Sequence, residues 1–465
     1  MGDLRFPIAK TLGNILVISS MGYQSRYILI SELSSIDLNT IQMEAEIFEL
    51  SEAVVKAKQK KSLSAKKIVR RAIEAIPKNF PTNPFSTIGY YRDYQLDKNR
   101  YINLNEAILE VYDQGFLELD QVTTRVRIYD YKLNYDFKRD LPAQQPYDYT
   151  GKSKTIDKSF LFNYGGNEFT ILRIHDAIRN YKIDSYAFIH RLDTDLLKNH
   201  YFSKEPDTFM EDDALYAITF KKNYPGFRAH GRMFISKKSF AIHKMEYAVY
   251  DLSIRTVDKK QNKPDDNNNL LFKITTEYQK VDELMYLNYI SFQNKFRLLL
   301  SPFMVTDIQL DLTNKCFNVT FNNEPNVRFA VSKDNYRIIY KGKKIVLNKI
   351  EFRNKKVILY PDLNFGEARN IFNELDKIST DEIFSPELLN FEFAKMRDLR
   401  GNYLNDGYYK QYTQFREFFV QQVNTQTNEP ADTLYMKKDR PISKDQIIIK
   451  PLNFNNYWMN TPLKQ

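Results

Sequence analysis

The sequence predicts a mainly β fold with a few helices, built around a large curved antiparallel sheet. The chain of 465 residues contains 32 Tyr and 33 Phe, and aromatic residues are enriched in strands. From residue 85 onward, apolar and polar residues alternate with a period of two over several long stretches, which is typical of strands with one buried face. The 14 Gly and 17 Pro are too few for a linker-dominated chain.

The charge distribution favours an ordinary globular surface. The chain has 68 basic and 58 acidic residues, a formal net charge of +10, and the two signs are interspersed, so we predict no nucleic-acid partner. No apolar stretch reaches the roughly 18 residues that a membrane helix requires, so we also predict no transmembrane helix. Residues 1–7 show no basic region followed by an apolar core, and an export signal is therefore not visible in this chain.

Residues 1–48 are expected to form part of a small β-sandwich. Apolar, β-branched stretches at 15–20 and 27–30 predict two strands, and an alternating stretch predicts a third strand at 36–48. These strands are too few for a complete sandwich. We therefore expect an incomplete domain with unpaired strand edges, of the kind that pairs readily with another chain.

Residues 49–84 are predicted to be a lysine-rich linker followed by an amphipathic helix. Ser64 is a suitable N-cap, and Pro77 ends the pattern. The helix would bury one apolar stripe, with its basic side facing solvent. That stripe consists of Ala65, Ile68, Val69, Ala72, Ile73 and Ile76.

Residues 85–320 are predicted to form the antiparallel sheet, interrupted by a mobile loop at 255–269 that is poor in apolar residues. Tyr216, Ile218 and Phe220 alternate along one strand and should present an apolar face. Because the helix stripe lacks another obvious target, we expect Ile68, Ile73 and Ile76 to cover that face. Residues 321–465 give a mixed pattern, with a helix near 368–378 and an aromatic stretch at 408–420.

The residue types needed for catalysis are present but poorly placed. His243 and Glu246 match a His-x-x-Glu zinc pair, yet His243 is the last histidine, and residues three apart on a strand face opposite sides. The neighbours His175 and Asp176, like His190 and Asp193, are expected to be structural. We therefore predict no catalytic, cofactor-binding or metal-binding residue, no cofactor and no enzymatic activity.

Two other candidates are also expected to be structural. Cys316 is the single cysteine and is predicted to be a buried thiol. The acidic run Glu211, Asp212 and Asp213 lacks the spacing of a calcium loop.

Two stretches carry a family resemblance. Residues 2–6 (Gly-Asp-Leu-Arg-Phe) followed by 16–23 (Leu-Val-Ile-Ser-Ser-Met-Gly-Tyr) resemble the second half of carboxypeptidase-regulatory-like domains. Residues 64–76, 79–81, 89–93 and 104–108 look like the region that follows such domains in uncharacterised Gram-negative envelope proteins. This resemblance implies a partial transthyretin-like or Ig-like β-sandwich at the N-terminus and a location in the periplasm or at the outer membrane. It also implies that the chain is truncated at its N-terminus.

The region from 85 to about 312 is also weakly similar, in strand rhythm only, to the half-barrel of lipoprotein carriers. Three functions remain open at this point. The first is a structural or interaction module that docks an envelope protein partner. The second is a carrier that binds lipid or a lipoprotein acyl chain in the concave face of the sheet, which requires an apolar cavity. The third is a hydrolase with an unrecognised site.

Overall fold

The computed structural model describes residues 15–18, 20–34, 39–45, 63–147, 153–156, 166–182, 196–210, 213–252, 257–258, 263–264, 269–378, 387–427, 432–459 and 463. The chain divides into two units. Unit 1 comprises residues 1–298 and 411–465, and unit 2 comprises residues 299–410.

The structure is mainly β, as predicted. The strands in chain order are β1 (Ile15–Ile18), β2 (Arg26–Leu29), β3 (Phe85–Asp97), β4 (Arg100–Asp113), β5 (Arg125–Leu133), β6 (Lys154–Thr155), β7 (Tyr201–Lys204), β8 (Thr208–Met210), β9 (Asp213–Tyr224), β10 (Phe227–Ser236), β11 (Ile242–Asp251), β12 (Val257–Asp258), β13 (Lys263–Pro264), β14 (Leu270–Val281), β15 (Leu284–Leu300), β16 (Val305–Asp311), β17 (Cys316–Phe321), β18 (Tyr336–Tyr340), β19 (Lys343–Ile345), β20 (Leu347–Arg353), β21 (Lys356–Pro361), β22 (Leu389–Phe393) and β23 (Tyr408–Asn424).

Most of the helices are short. They are α1 (Ala65–Glu74), α2 (Ile76–Asn79), α3 (Asp120–Thr123), α4 (Leu141–Gln144), α5 (Glu168–Ile174), α6 (Leu196–Asn199), α7 (Val327–Ala330) and α8 (Phe365–Ile378), with 3₁₀ turns at Ile30–Glu32, Lys333–Asn335 and Phe454–Asn456.

Unit 1 is organised around one large sheet. Its strand order is β5-β4-β3-β23-β15-β14-β11-β10-β9-β7, and β6 and β8 pair with β15 and β9. Neighbouring strands from β3 to β5 and from β9 to β15 are antiparallel, as expected for a meander. The last long strand, β23, returns from the far end of the sequence to pair with β3.

The return of β23 shows that the predicted domain boundaries need correction. The expected boundary near 320 would cut through β17, which belongs to unit 2. Residues 411–465, which the sequence predicts to be part of a mixed C-terminal region, belong to unit 1. A strand that pairs with a partner more than 300 residues away has no local sequence pattern that identifies this partner.

The described residues near the N-terminus form a small antiparallel pair, β1 with β2, in which Ile15 pairs with Leu29. The apolar side chains Ile15, Val17, Tyr27 and Leu29 are exposed. Residues 39–45 form only an isolated bridge between Tyr23 and Ala45, so the third predicted strand is absent from that range. The remainder of the predicted strand at 36–48 lies largely outside the described residues, and the partial sandwich stays a prediction.

Helix α1 begins where the sequence predicts, because the Ser64 side chain accepts a hydrogen bond from the Lys67 backbone N–H. Ile68 and Ile76 have no exposed surface. In contrast, Ile73 is only half-buried, which corrects its expected place in the core. The other predicted stripe residues of α1, Ala65, Val69 and Ala72, are buried with Ile68, and Ile73 lies at the margin of the stripe.

The predicted apolar face of β9 is present at its centre. Ile218 and Phe220 are buried, whereas Tyr216 is half-buried. Ile218 pairs with Met233 on β10, and the ring of Phe220 contacts His200 beside α6. Helix α1 contacts β7 and α6 at this end of the sheet.

Most of the loop predicted at 255–269 lies outside the described residues. Its described part contains the small antiparallel pair of β12 with β13, in which Val257 pairs with Pro264.

Unit 2 contains a four-stranded sheet, β16-β17-β21-β20, and a three-stranded sheet, β19-β18-β22. Its core includes Phe317, Val319 and Leu359 from the strands and Phe372 from α8. Cys316 is buried, as the sequence predicts, and burial raises the pKa of its thiol to about 11. The thiol is therefore almost entirely protonated at neutral pH, which suits a structural residue.

Candidate functional site: a polar cleft in unit 1

The histidines considered from the sequence are held by structural contacts. His175 stacks on Phe292 with 4.4 Å between ring centroids, its Nδ1 lies 2.5 Å from the Ile171 carbonyl oxygen, and burial lowers its pKa to about 3. His200 is buried and its Nδ1 lies 3.1 Å from the Leu196 carbonyl oxygen. Both rings are packed in the interior, and the lowered pKa keeps His175 uncharged near neutral pH.

The His-x-x-Glu pair is not assembled as a metal site. His243 Nε2 lies 3.2 Å from a carboxylate oxygen of Asp213, while Glu246 forms an ion pair with Lys244 at 3.3 Å. His190, Asp193, Glu211 and Asp212 lie outside the described residues. Within the described ranges, no three His, Cys, Asp or Glu side chains are grouped so that they could hold a metal ion.

A polar cleft lies on one face of the large sheet. Its volume is about 240 Å³, slightly below the ~300–1,000 Å³ of pockets for drug-sized ligands. The described residues that line it are Asp93, Gln95, Asn103, Asn105, Tyr131, Leu133, Gln144, Gly166, Glu168, Gln414, Pro441, Ile442 and Ser443. Polar side chains dominate this set, and we refer to these residues as the polar cleft.

The register of the sheet brings the floor of the cleft together. Asp93 on β3 pairs with Asn105 on β4 and with Arg416 on β23, and Gln95 pairs with Gln414. Directly paired residues lie on the same face of a sheet. Side chains that are more than 300 residues apart in sequence therefore converge on one surface.

The amides of the floor bond to one another and to the backbone. Gln95 Nε2 donates to the Gln414 Oε1 and to the Ala143 carbonyl oxygen, at 2.7 and 2.8 Å. Asn103 Nδ2 donates to Gln95 Oε1 and to the Asp140 carbonyl oxygen, at 2.8 and 3.0 Å. Because both N–H donors of each amide are already used, these side chains form a rigid floor with little donor capacity left.

Asp93 is the most perturbed carboxyl group of the cleft. It is 6% exposed and accepts a hydrogen bond of 2.9 Å from Asn105 Nδ2. Burial and the nearby Glu168 raise its pKa to about 7, against the smaller opposing effects of Asn105 and Arg416. In the described part of the chain Asp93 forms no ion pair. A buried carboxyl group whose pKa lies near 7 is about half ionised at neutral pH. Such groups are common at functional sites.

Behind Glu168 lies the fully buried guanidinium of Arg416. Its Nε donates to Glu168, its Nη1 donates to Asn294 Oδ1 at 2.6 Å, and its Nη2 donates to the Tyr147 hydroxyl at 3.3 Å. The plane also lies over the ring of Phe292, 5.0 Å from its centroid. All three nitrogens are therefore bonded within the protein and none lines the cleft.

A second buried cation, Lys154, is held in a similar way. Its Nζ donates to the carbonyl oxygens of Ala143 and Gln145, each at 2.8 Å, and lies 4.4 Å from the centroid of the Tyr147 ring. Burial lowers the pKa of Lys154 to about 8. Like Arg416, Lys154 donates its hydrogen bonds to groups within the protein and does not line the cleft.

The C-terminal segment supplies one wall of the cleft through Pro441, Ile442 and Ser443. Asn167, the N-cap of α5, fixes this segment by donating from Nδ2 to the Arg440 carbonyl oxygen at 3.1 Å. Beyond the cleft the same segment bonds to β5, where the Ile449 backbone N–H donates to the Ile128 carbonyl oxygen at 2.9 Å.

A second group of buried charges lies at the other end of α5. We refer to Asp113, Asp120, Arg173 and Arg179 as the arginine–aspartate network. Arg179 binds Asp113 through two nitrogens at 2.9 and 3.0 Å, and Arg173 bonds to Asp113 and Asp120 at 2.9 and 2.5 Å. Although burial alone would raise it, the two arginines lower the pKa of Asp120 to about 2. The network is charge-balanced.

The polar cleft is not among the sites that the sequence predicts. Its signal was the presence of charged residues inside strongly aromatic, alternating stretches: Asp93 within Tyr90–Tyr94 and Arg416 within Phe415–Phe418. Charged residues are rarely fully buried without a specific partner. Their position on predicted strands could have identified them as candidates, but only the register shows that they face one another.

The comparisons with known proteins do not define a family. No family model matches the chain, and no curated protein matches it. The resemblance to carboxypeptidase-regulatory-like domains consequently stays a prediction. No helix in the described ranges is both long and apolar enough to cross a membrane.

Three solved structures show a remote similarity over 50% of this chain. They are a domain assigned to outer membrane lipoprotein-sorting proteins from Vibrio parahaemolyticus (12% identity, 86% of that chain, TM-score 0.24), a LolA superfamily protein from Nitrosomonas europaea (11%, 86%, 0.19) and a DUF1329 family protein from Desulfovibrio piger (8%, 87%, 0.22). At these TM-scores the similarity carries no argument about function.

Proposed function

We propose that this chain is a non-enzymatic binding protein and that the polar cleft of unit 1 holds a small polar ligand. The single observation that carries the proposal is a cleft of about 240 Å³ lined by buried and half-buried carboxyl and amide side chains. Burying polar groups costs free energy unless they are well bonded, so proteins concentrate them where they serve a site. The floor amides are bonded to one another, which gives a preorganised surface.

The polar lining separates this proposal from the apolar-ligand carrier considered from the sequence. A pocket for acyl chains is lined mainly by apolar side chains, whereas the lining of this cleft includes Asp93, Gln95, Asn103, Asn105 and Glu168. The apolar face around Ile218 and Phe220 is buried by the protein's own side chains. Lipid binding thus remains a second prediction.

The location of the protein and a docking role remain further proposals. Both the envelope location and an envelope protein partner rest on the sequence resemblance. One structural observation favours docking, namely the exposed apolar side chains Ile15, Val17, Tyr27 and Leu29 on β1 and β2. Exposed apolar edge strands are suited to pairing with another chain.

The proposal can be tested with a panel of small polar ligands and one variant that blocks the cleft. Saturation-transfer NMR would compare sugars, amino sugars, amino acids, small amines and small carboxylates. Ser443 is exposed and lines the cleft, so Ser443→Phe should occlude it without disturbing the core. Ser301→Phe makes the same change at an exposed position in unit 2.

We expect at least one class of the panel to bind the wild type and Ser301→Phe, and to lose its signal with Ser443→Phe. Binding that survives in Ser443→Phe, or a panel in which no class binds the wild type, would contradict the proposal.

A further inference from the structure

The described lining of the polar cleft is acidic. Among the described lining residues, Asp93 and Glu168 are acidic and none is basic. The three nearby cations, Arg139, Arg416 and Lys154, do not line the cleft and donate hydrogen bonds to protein partners. A ligand that enters the cleft therefore meets carboxylate oxygens before it meets any positive group.

We propose that the ligand of the polar cleft carries an ammonium group, which Asp93 and Glu168 bind together. This inference rests on the proposed function and names its ligand class. The ligand would be a small amine, for example an amino sugar or a short aliphatic amine, and not a carboxylate, a phosphate or a neutral sugar.

The hydrogen-bond inventory supports a donor-rich ligand. An ammonium group offers three N–H donors and no acceptor. Asp93 accepts a bond from Asn105 on Oδ1 and interacts with the Tyr91 hydroxyl, and a carboxylate with about four acceptor positions retains capacity beyond these two partners. Glu168 is bonded to Arg416 through Oε2 and retains Oε1. Among the lining amides, Gln95 and Asn103 use both of their N–H donors within the protein, and the charge of Asp93 and Glu168 disfavours an anionic ligand.

The electrostatic state of the cleft points the same way. Two carboxyl groups that repel each other in a buried site are stabilised in their charged form by a cation between them. The mutual effect of Asp93 and Glu168 contributes to the raised pKa of Asp93. Binding of an ammonium group should lower that pKa and release a proton. Charge-assisted hydrogen bonds of this kind are roughly twice as strong as neutral ones.

The size of the cleft limits the ligand. A volume of about 240 Å³ would hold a single small molecule rather than a polymer segment, given that drug-sized ligands occupy roughly 300–1,000 Å³. The half-buried Tyr131, Leu133 and Gln144 at the rim provide contacts for a short aliphatic chain or a sugar ring.

The test uses ligand pairs that differ in the ammonium group: glucosamine with glucose, and putrescine with butanediol. Isothermal titration calorimetry near neutral pH would measure each with the full chain. We expect the ammonium member of at least one pair to bind about tenfold or more tightly than its hydroxyl partner. Asp93→Asn should weaken that binding about tenfold or more.

Asp282→Asn is the matched control. Asp282 is exposed and lies in a turn with φ of 53°, a conformation that Asn tolerates, so the same charge is removed away from the cleft. Binding of the ammonium compound should be unchanged in this variant.

The outcomes separate this inference from the proposed function. Equal binding within both pairs, tighter binding of the hydroxyl member, or binding only of carboxylates would overturn the inference and leave the cleft a ligand site. Ammonium binding that Asp93→Asn leaves unchanged would overturn it too. No binding by any class would overturn both.

Discussion

Helix α5 has a buried charged group at each end, and the two groups differ in how their charges are balanced. At its first residue, Glu168 joins Asp93 in the polar cleft, where Asp93 has no ion-pair partner among the described residues. Near its last residue, Arg173 joins the arginine–aspartate network, where two arginines face two aspartates. Unit 1 therefore contains buried aspartates in two environments: paired with arginines in the network, and without an ion-pair partner among the described residues in the cleft.

The pKa values show the difference most clearly. In the network, paired arginines lower the pKa of Asp120 to about 2. In the cleft, burial and Glu168 raise the pKa of Asp93 to about 7. A carboxylate stabilised by its neighbours adds to stability, whereas one held in an unfavourable environment is expected where a ligand later supplies the missing charge.

The largest expected effect is the loss of a network arginine. Arg179→Met removes the two hydrogen bonds from Arg179 to Asp113 and leaves Arg173 as the single network arginine facing two buried aspartates. Removing one partner of a buried ion pair costs about 3–5 kcal/mol of unfolding free energy. Urea denaturation would measure it. The exposed Arg353→Met in unit 2 should change stability by less than about 0.5 kcal/mol, and a comparable small effect for Arg179→Met would show that the network is not structural.

Two apolar substitutions on α1 provide a comparison for the stability loss expected of Arg179→Met. Ile68→Ala on α1 should cost about 2–5 kcal/mol because Ile68 has no exposed surface. Ile73→Ala should cost about 1 kcal/mol or less, since this side chain is half-buried and leaves a smaller cavity. Thermal and urea unfolding of both variants would check the order, and a larger loss for Ile73 would contradict the helix orientation.

The third prediction is an increase in the free energy of unfolding rather than a decrease. Asp93→Asn should stabilise the free protein at about pH 8 by roughly 2–4 kcal/mol, because the wild type must bury an unfavourable charge there. Asn can still accept the hydrogen bond from Asn105. At about pH 4 the two proteins should be nearly equal, since Asp93 is then protonated when folded. A destabilised Asp93→Asn at the higher pH would place Asp93 with the structural carboxylates.

The pH dependence of the unfolding free energy follows from the direction in which the pKa of Asp93 is shifted. Because the pKa of Asp93 is higher in the folded protein than its ordinary value of 3.8, the folded state binds more protons between those values. Its contribution to the unfolding free energy therefore falls as pH rises from about 4 to about 7. His175, whose pKa is lowered, contributes with the opposite sign and cancels in the difference between the wild type and Asp93→Asn.

The smallest effect concerns the rim of the cleft. Gln144 lines the cleft and is half-buried, so Gln144→Ala should change stability by less than about 0.5 kcal/mol. Its contact with a bound amine should make binding of glucosamine or putrescine roughly threefold weaker. Calorimetry with the same ligands would measure this, and an unchanged affinity would remove Gln144 from the contact surface.

The sequence was sufficient for the features that local patterns encode. Alternation predicted the antiparallel sheet, and Ser64 with the spacing of Ile68 and Ala72 predicted α1. It was insufficient for features that depend on distant pairing. The insertion of β23 between β3 and β15 places Arg416 against Asp93, and no local periodicity in either strand indicates the other. The cleft is created by that pairing, so it could not be predicted.

The titration of Asp93 by carboxyl-carbon NMR, with and without the ammonium compound that binds, tests most directly whether the polar cleft binds an ammonium group. We expect a pKa of Asp93 near 7 in the free protein, which falls when the compound is added because a bound cation favours the carboxylate. A pKa near the ordinary value of about 3.9 for Asp, unmoved by glucosamine and putrescine, would contradict this expectation.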